Sequence, residues 1–399
     1  MTTEVLGPGR SAVDVLGALA DHARRHRFPP PAALVGDWLG ADAVIAPSVD
    51  ITAGRGPSSR PDRFWFGALS FPDRLDEARL PAVLGGTCDG VLLLRHGDWS
   101  WHSTSDRCPD LLRDSVAGDP VPVGEWEATW RPPDRDRHEW AIRECLGAIA
   151  AGEIYQACVC SRFTGDLTGQ PVDVFRSGVQ QMAPRKAAFL SGHWGSVVSF
   201  SPETYLRRRG EMVTSSPIKG TLPLSDDPAL LRASTKDVAE NVMIVDLVRN
   251  DLGRVAVPGS VTVPELLSVH AAPGVWHLVS TVAAHVPTDV RTDALLEATF
   301  PPGSVTGTPK LRARELLSGW EADARGVYCG AIGVRSPDGD LDLSVAIRTV
   351  EVTPDGRMGL GVGGGITIDS DPAREWQECL DKAASIVGLR DQRAARTAS

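Results

Sequence analysis

The stretch GGGITIDSDPAREWQECLDKA, residues 363–383, carries more information about the architecture of this chain than any other. Its three consecutive glycines let backbone N–H groups approach a carboxylate, although their spacing matches neither a dinucleotide fingerprint nor a Walker loop. A tight turn would have the same composition. Pro372 suits the first turn of a helix. We therefore predict a strand over 358–362 and an amphipathic helix over 372–387.

Paired carboxylates follow on this helix. Glu375 and Glu378 are three residues apart and share one helical face, with Lys382 one turn further along it. A second predicted helix, in TKDVAENVMIVDL, presents Asp237 and Glu240 at the same spacing. Two such helices suit a hard divalent cation such as Mg²⁺, which takes oxygen ligands and keeps several waters. The helix dipole alone also favours acids near a helix N-terminus, so a purely structural role stays open.

The overall composition is that of an ordinary globular protein. Of 399 residues, 42% are hydrophobic and 23% are charged, and the net charge is −10. This charge argues against nucleic acid as the main partner, but not against an anionic small molecule, which responds to the local field of its pocket. No apolar run is long enough to span a bilayer and no signal peptide is recognisable, so we expect no membrane association. Seven cysteines without a repeated spacing predict a reduced, cytoplasmic protein.

Several predicted strands follow one another without helices between them, which favours an α+β fold of mostly antiparallel sheet with helices packed outside. Strands are predicted over 154–163, 187–191, 196–201, 204–208, 276–284, 328–335 and 341–350, and helices over 139–152, 171–184, 235–253 and 309–318. Residues 1–130, rich in Pro, Gly and Arg, are predicted to form a β-rich N-terminal region. The polar segment RPPDRDRHEW then opens a second region, residues 131–399.

Lysine is rare in this chain. Only five of its 41 basic residues are lysines, at positions 186, 219, 236, 310 and 382. Arginine stays protonated, whereas a partly desolvated lysine can lose its proton and act as a nucleophile. Lys219, in TSSPIKGTLP, is therefore a candidate nucleophile. A lysine that caps the end of a strand would look the same in the sequence.

Other polar side chains interrupt apolar patterns. They are Gln156 in IYQACVCSRF, Glu203 in SFSPET, His277 in VWHLVSTV and Arg348 in LSVAIRTV. A buried arginine needs an anion beside it, either a protein carboxylate or a substrate carboxylate. A lone histidine such as His277 is more often a hydrogen-bonded core residue than a catalyst. The loop PPGSVTGTPK predicts a helix that begins at Pro309 with Thr308 as N-cap, and this helix end suits an anion.

Taken together, nine segments resemble the chorismate-utilising enzymes, which include component I of anthranilate and aminodeoxychorismate synthases, isochorismate synthase and salicylate synthase. In order, the segments are EIYQACVCSRF, FSPETYL, PIKGT, AENVMIVDLVRNDLGRV, VWHLVSTV, FPPGSVTGTPKLRA, GVYCGAIG, LDLSVAIRT and GGGITIDSDPAREWQECLDKA. The resemblance covers about residues 137–390 and implies two packed antiparallel sheets, with 131–399 as the chorismate-binding catalytic domain. Residues 1–130 resemble the N-terminal domain of component I only loosely, through RFWFGALSF.

Two positions distinguish the branches of this family. Members that use water carry a lysine where this chain has Gln156, and a glutamine cannot take up a proton, which implies ammonia as the nucleophile. Anthranilate synthases carry alanine where this chain has Lys219, whereas aminodeoxychorismate synthases carry a lysine proposed to attack C2 of chorismate. Asp237 before VAEN also resembles the aminodeoxychorismate branch.

The resemblance implies that chorismate and ammonia are converted into 4-amino-4-deoxychorismate, for p-aminobenzoate and folate or for a secondary metabolite. Alternatives are anthranilate synthase component I, 2-amino-2-deoxyisochorismate synthase, and a catalytically silent subunit that only binds a glutaminase. We interpret no segment as a glutamine amidotransferase, so a separate amidotransferase subunit would supply the ammonia.

The resemblance also implies a role for each site residue. Glu240 and Glu378 would hold Mg²⁺, with Asp237 and Glu375 hydrogen-bonded to its waters. Glu203 would protonate the departing C4 hydroxyl as a general acid. The residues implied to surround the substrate are Arg348, Ile347, Tyr328, Gly363, Gly364, Gly365 and Lys382 at the enolpyruvyl carboxylate, and Thr306 and His277 along the ring.

Overall fold

The computed structural model describes residues 1–58, 62–105 and 107–390. Its α-helices are α1 (Ala12–His26), α2 (Asp110–Ala117), α3 (Arg135–Ala150), α4 (Pro171–Met182), α5 (Ala229–Ala233), α6 (Thr235–Gly253), α7 (Thr292–Thr299), α8 (Lys310–Trp320) and α9 (Pro372–Val387). Its strands are β1 (Thr2–Pro8), β2 (Ala32–Trp38), β3 (Ala41–Ala46), β4 (Thr52–Ala53), β5 (Phe64–Leu69), β6 (Val83–Cys88), β7 (Gly90–Arg95), β8 (Asp98–Ser103), β9 (Glu127–Arg131), β10 (Gln156–Thr168), β11 (Lys186–Gly192), β12 (Gly195–Ser201), β13 (Thr204–Arg209), β14 (Met212–Ser216), β15 (Ile218–Pro223), β16 (Thr262–Ala272), β17 (Val275–His285), β18 (Gly307–Thr308), β19 (Ala331–Arg335), β20 (Leu341–Val345), β21 (Thr349–Val352) and β22 (Arg357–Ile366). None of the helices in these ranges is both long and apolar enough to cross a membrane.

The described strands form two large antiparallel sheets. The first has 12 strands in the order β1-β8-β7-β3-β2-β11-β12-β21-β22-β10-β18, and β9 also pairs with β10. The second has 10 strands in the order β15-β17-β14-β13-β20-β19-β5-β6-β4, and β16 also pairs with β17. This arrangement confirms the predicted α+β class with mostly antiparallel sheets.

The sheets face each other across a hydrophobic core, and helices cover their other faces. Along β2, Leu34 belongs to the core shared with Phe66 of β5 in the second sheet. The preceding residue, Ala33, belongs to a separate core that includes Leu16 of α1 and Ile386 of α9. This alternation follows from the two-residue period of a strand. It lets one sheet bury both of its faces.

The two helices that carry the paired acids begin at well-formed N-caps. Ser234 Oγ accepts the N–H of Asp237 at 3.2 Å before α6. Asp371 Oδ1 accepts the N–H of Arg374 at 3.0 Å before α9, where Pro372 occupies the first turn. Each cap satisfies a backbone donor that the helix leaves unpaired. The helices predicted over 235–253 and 372–387 are therefore confirmed.

The N-terminal region shares both sheets with the rest of the chain. Its described part contains α1 and α2 as well as the eight strands β1 to β8, so it is β-rich with two helices. Its strand β2 pairs with β11, with Ala33 opposite Phe189. Its strand β5 pairs with β19, with Gly67 opposite Gly333. The domain boundary near residue 130 stays a prediction, and residues 391–399 of the predicted second domain lie outside the described residues.

The single strand predicted over 341–350 is wrong. β20 ends at Val345 in the second sheet and β21 begins at Thr349 in the first, so the chain changes sheets between them. Arg348 has φ 51° at this change. The carbonyl of Ala346 accepts the N–H of Cys329 at 2.9 Å, which secures the bend. Because both strands are buried, the apolar pattern continues across the break and conceals it.

The predicted start of the helix near residue 309 is also wrong by one residue. α8 begins at Lys310, and Pro309 occupies the N-cap position without a side-chain hydrogen bond. Thr308 instead pairs with Gln156 in the first sheet, and its carbonyl accepts the N–H of Tyr155 at 2.8 Å. A strand pairing with a distant segment therefore outweighs the local preference of threonine for a helix cap.

Candidate active site

The predicted site residues gather where the chain passes between the two sheets. Glu203 lies between β12 of the first sheet and β13 of the second. Arg348 lies between β20 of the second sheet and β21 of the first. The strands around this crossing carry Gln156 on β10, residues 363–365 on β22, Lys219 on β15 and His277 on β17.

Two glycines of β22 bring the acidic side chains together. A Cβ atom at Gly364 would lie 3.2 Å from Oε2 of Glu375 and 3.8 Å from Oε1 of Glu378. A Cβ atom at Gly365 would lie 3.0 Å from Oε2 of Glu240 and 3.4 Å from Oε1 of Gln156. Side chains of α6, α9 and β10 thus converge on one short piece of backbone. Any larger residue would push these carboxylates apart.

The fourth predicted acid lies against the lysine-bearing strand. Gly220, the residue after Lys219, has φ 80°. A Cβ atom there would also lie 3.0 Å from Cγ of Asp237. A glycine serves both the left-handed backbone and the close approach of the carboxyl group. Asp237 therefore belongs to the same site as Glu240, one turn further along α6.

Asp237, Glu240, Glu375 and Glu378 are called the acidic group below. Each of its three glutamates lies close to a lysine. Nζ of Lys382 lies 2.7 Å from Oε1 of Glu378. Nζ of Lys236 lies 2.6 Å from Oε1 of Glu375. The third and longest contact, at 3.7 Å, joins Nζ of Lys219 to Oε2 of Glu240. Within the described ranges, no three His, Cys, Asp or Glu side chains are already arranged around a metal position.

The acidic group nevertheless fits a divalent cation. Oε2 of Glu375 is buried and has no hydrogen-bond partner among the described residues. Burial raises the pKa of Glu240, and the neighbouring Glu378 and Asp237 carboxylates raise this pKa further against the opposing charges of nearby lysines. An unsatisfied oxygen and mutual repulsion are both relieved by added positive charge. The donors are also the oxygens that magnesium prefers.

Lys219 and Glu203 both contact Ser304, which lies in the short turn that precedes Thr306. Nζ of Lys219 donates to the carbonyl of Ser304 at 3.1 Å. Glu203 is buried, with 4% of its surface exposed. Burial raises the pKa of Glu203 to about 7, against a hydrogen bond from Ser304, the charge of Lys219 and a backbone hydrogen bond at Ile218. A carboxyl group with this pKa is largely protonated just below neutral pH and can donate a proton there.

Arg348, His277 and Tyr328 are three further predicted site residues. The Arg348 guanidinium makes no ion pair or side-chain hydrogen bond with the described residues, and burial lowers its pKa. Nδ1 of His277 lies 2.9 Å from Oγ1 of Thr221. Burial, and after it the charge of Arg348, lowers the pKa of His277 to about 4, so the ring is neutral at pH 7. The aromatic ring of Tyr328 is buried against Gly361. Of the two anions that the sequence left open for Arg348, a bound carboxylate fits and a protein carboxylate does not.

The remaining predicted residues have mixed surroundings. Gln156 is 2% exposed, and its buried Oε1 has no hydrogen-bond partner among the described residues. Thr306 is buried, but its hydroxyl donates to the carbonyl of Gly303 at 3.0 Å, within its own turn. Ile347 packs partly buried against the core of the second sheet. The structure therefore leaves the oxygen of Gln156 free to accept a hydrogen bond in the site.

One sequence motif resembles a catalytic turn in its spacing only. GTCDG, residues 86–90, has the Gly-x-Cys-x-Gly spacing of a glutaminase nucleophile turn. Cys88 ends β6 in the second sheet, however, and Gly90 begins β7 in the first, so no helix follows the cysteine. Cys88 is buried and burial raises its pKa to about 12. This thiol is therefore unsuited to act as a nucleophile.

Three residues of the site escape the sequence analysis. Ser304 is hydrogen-bonded to both Lys219 and Glu203. Thr221 is hydrogen-bonded to His277, and Lys236 is hydrogen-bonded to Glu375. A signal existed for Lys236, because it is one of only five lysines. Ser304 and Thr221 lie in ordinary loop and strand patterns. Only their neighbours in space give them a role.

Comparison with known proteins agrees with this arrangement. A family model for chorismate binding enzymes matches residues 113–388. The chain belongs to this family. It is 42% identical over 328 residues to aminodeoxychorismate synthase component 1 of Klebsiella aerogenes, covering 79% of this chain and 72% of that protein. It is 36% identical over 340 residues to anthranilate synthase component 1 of Haloferax volcanii, covering 80% of this chain and 62% of that protein.

A solved structure supports the fold in particular. The menaquinone-specific isochorismate synthase of Escherichia coli aligns with a TM-score of 0.75 over 97% of this chain and 96% of its own, at 18% identity. The predicted resemblance to chorismate-utilising enzymes and the predicted fold are therefore confirmed. The family match begins at residue 113, earlier than the predicted start near 137.

Proposed function

We propose that this chorismate binding enzyme acts as an aminodeoxychorismate synthase component I, which converts chorismate and ammonia into 4-amino-4-deoxychorismate. One observation carries the proposal: Lys219 lies beside Glu240, at 3.7 Å, and beside the carbonyl of Ser304, at 3.1 Å. Anthranilate synthases carry alanine at this position. The 42% identity to the Klebsiella aerogenes component is consistent with it.

Binding of the chorismate dianion needs two cationic regions. Arg348 has no counter-ion among the described residues and would hold the enolpyruvyl carboxylate. Tyr328 and Ile347 would complete this region, and Lys382 and the backbone of 363–365 would lie between it and the acidic residues, because Nζ of Lys382 is 2.7 Å from Oε1 of Glu378. At the other end, we propose that Glu240 and Glu378 hold Mg²⁺, with Asp237 and Glu375 accepting hydrogen bonds from its waters. Magnesium bound there would neutralise the acids and attract the ring carboxylate.

The first chemical step would use Lys219 and Glu203 together. The neutral amine of Lys219 would form a bond to C2 of chorismate while both ring double bonds shift and the C4 oxygen departs. Glu203 would give its proton to this oxygen, which leaves as water. The buried position of Glu203 keeps the proton available near neutral pH, because burial raises the pKa of this carboxyl to about 7.

Ammonia would complete the exchange. Attack of ammonia at C4 would shift both ring double bonds back and break the C2 bond to Lys219, which regenerates the free lysine. The surplus proton on the new amine would return to the Glu203 carboxylate. Oε1 of Gln156, which has no hydrogen-bond partner among the described residues, would accept an N–H of ammonia. Neutral His277 and buried Thr306 would line the ring without adding charge.

The pathway and partners belong to the same proposal. A separate glutamine amidotransferase subunit would deliver the ammonia in the cytoplasm. The product would serve p-aminobenzoate and folate synthesis or a secondary metabolite. The competing function is that of an anthranilate synthase component I, which the 36% identity to the Haloferax volcanii protein favours.

Product analysis tests the proposal directly. The protein would be incubated with chorismate, MgCl₂ and an ammonium salt, and the products would be separated and identified by mass and fluorescence. We expect 4-amino-4-deoxychorismate, which keeps the enolpyruvyl group. Anthranilate as the main product would overturn the proposal in favour of the competing function.

Gln156→Lys should lower the ammonia-dependent rate by about tenfold or more, because a lysine would supply a charged donor where ammonia needs an acceptor. A trace of a hydroxylated, isochorismate-like product is expected alongside. The measurement is the rate and product pattern at saturating ammonium. Unchanged amination in this variant would show that position 156 does not choose the nucleophile.

Glu378→Gln should weaken divalent-cation binding by about tenfold or more, because an amide is a poor replacement for a charged oxygen ligand. Activity should fall while the fold is kept. Mn²⁺ binding followed by electron paramagnetic resonance measures the first effect, and chorismate turnover measures the second. Asp381→Asn is the matched control, since Asp381 is an exposed acid of α9 that accepts a hydrogen bond from Gln377 at 2.9 Å. Full turnover of the unaltered protein in excess chelator would contradict the metal assignment.

A further inference from the structure

An ion pair joins the two helices that carry the paired acids. Nζ of Lys236, in the first turn of α6, lies 2.6 Å from Oε1 of Glu375, in the first turn of α9. In the described part of the chain, this pair is the only side-chain hydrogen bond or ion pair between α6 and α9. This pair is therefore a direct electrostatic link between the two acidic turns.

Glu375 is deeply buried although it pairs with a partly exposed lysine. Its side chain is only 3% exposed. Oε1 accepts hydrogen bonds from Nζ of Lys236 and from Oγ of Ser370, each at 2.6 Å. Oε2 has no hydrogen-bond partner in the described part of the chain and points at Gly364, where a Cβ atom would lie 3.2 Å away. Lys236 is therefore the charge that makes a buried, half-satisfied carboxylate tolerable.

Lys236 differs from the other lysines of the site. Lys219 also binds the carbonyl of Ser304 at 3.1 Å, and Lys382 also binds the carbonyl of Gly363 at 2.9 Å. The Lys236 ammonium has only Glu375 as a partner among the described residues. Its side chain is 35% exposed, so the ammonium is already partly hydrated and can move into water once another cation stabilises Glu375. It is the lysine that can leave the acidic group most readily.

We propose that Lys236 is an internal counter-ion that competes with a divalent cation for Glu375, so that the α6–α9 ion pair closes the metal-free site. This inference rests on the proposed function, which assigns Glu375 to the waters of the cation. A cation at the acidic group and an ammonium on the same carboxylate repel each other. The site therefore exchanges one positive charge for another when it is loaded. Lys236 therefore makes the affinity of the site for the cation lower than the four carboxylates alone would give.

The test is Mn²⁺ binding by the full chain without chorismate, followed by electron paramagnetic resonance of the free ion. Lys236→Met removes the charge and keeps a good helix former at an accessible position. It should bind Mn²⁺ about tenfold more tightly. Lys236→Arg keeps the charge and should match the unaltered protein. Arg131→Met is the matched control, because it removes one cation of the exposed Arg131–Asp166 pair, in which both side chains are more than half exposed.

Thermal unfolding supplies a second readout. The metal-free Lys236→Met protein should unfold at a lower temperature than the unaltered protein, and saturating Mn²⁺ should remove the difference. Equal or weaker Mn²⁺ binding by Lys236→Met would overturn the inference, and weaker binding would show that Lys236 positions Glu375 for the cation instead. Absence of Mn²⁺ binding by the unaltered protein would overturn both this inference and the metal assignment. A product other than 4-amino-4-deoxychorismate would overturn the proposed activity and leave the Mn²⁺ result to decide the role of Lys236.

Discussion

Lys219→Arg is expected to lower the turnover of chorismate in the presence of ammonia by roughly a thousandfold or more. The guanidinium keeps a positive charge near Glu240 and the carbonyl of Ser304, which the lysine contacts at 3.7 and 3.1 Å. It cannot form a bond to C2, because it does not lose its proton. Lys219→Ala should be similarly slow at C4 and is expected to release some anthranilate-like product through direct attack at C2.

The covalent role of Lys219 can be examined separately from its charge. With ammonia withheld, intact-protein and peptide mass spectrometry should find the ring attached at Lys219. Thermal unfolding of Lys219→Arg should match that of the unaltered protein, since the substitution preserves the charge beside Glu240. A near-normal rate and product in Lys219→Arg would show that the lysine is a charge partner and that no adduct is needed.

Glu203→Gln is expected to lower turnover by about 10²- to 10⁴-fold, the usual contribution of a general acid. The amide has no proton to give to the departing C4 oxygen. In the unaltered protein, turnover should fall as the pH rises through about 7, because burial raises the pKa of Glu203 to about 7 and only the protonated form can donate. The residual turnover of Glu203→Gln should lack this limb of the pH profile.

The same substitution should stabilise the fold at high pH. Burial raises the folded-state pKa of Glu203 to about 7 from an ordinary value of 4.5, so the folded protein holds this proton more tightly than the unfolded chain. The free energy of unfolding therefore decreases as pH rises from 4.5 to about 7. Above pH 7, Glu203→Gln should be more stable by about 3 kcal/mol. Denaturant unfolding at pH 5 and pH 8 measures this, with the exposed Glu211→Gln as control. If the difference in unfolding free energy between Glu203→Gln and the unaltered protein is the same at pH 5 and pH 8, the pKa of Glu203 is not raised by folding.

The sequence by itself determined the parts of this protein that depend on neighbours in the chain. Ser234 and Asp371 cap their helices through N–H groups three residues away, so α6 and α9 were predictable from local patterns. The three-residue spacing within each acidic pair then placed the paired carboxylates on one helical face. The order of the motifs predicted the family and its two-sheet fold. β15 escaped prediction, because SPIKGTLP, which contains Lys219, lacks a clear alternation.

Only the tertiary structure decided how the site works. Lys236 and Glu375 are 139 residues apart in the chain, and Lys219 and Ser304 are 85 apart, so no local pattern could pair them. The raised pKa of Glu203 comes mainly from burial at the change between the two sheets, which is the work of many distant residues. Likewise, the lack of a counter-ion for Arg348 among the described residues becomes visible only when every surrounding strand is in place. Local preferences extend over a few residues, whereas charge, burial and repulsion depend on distance in space.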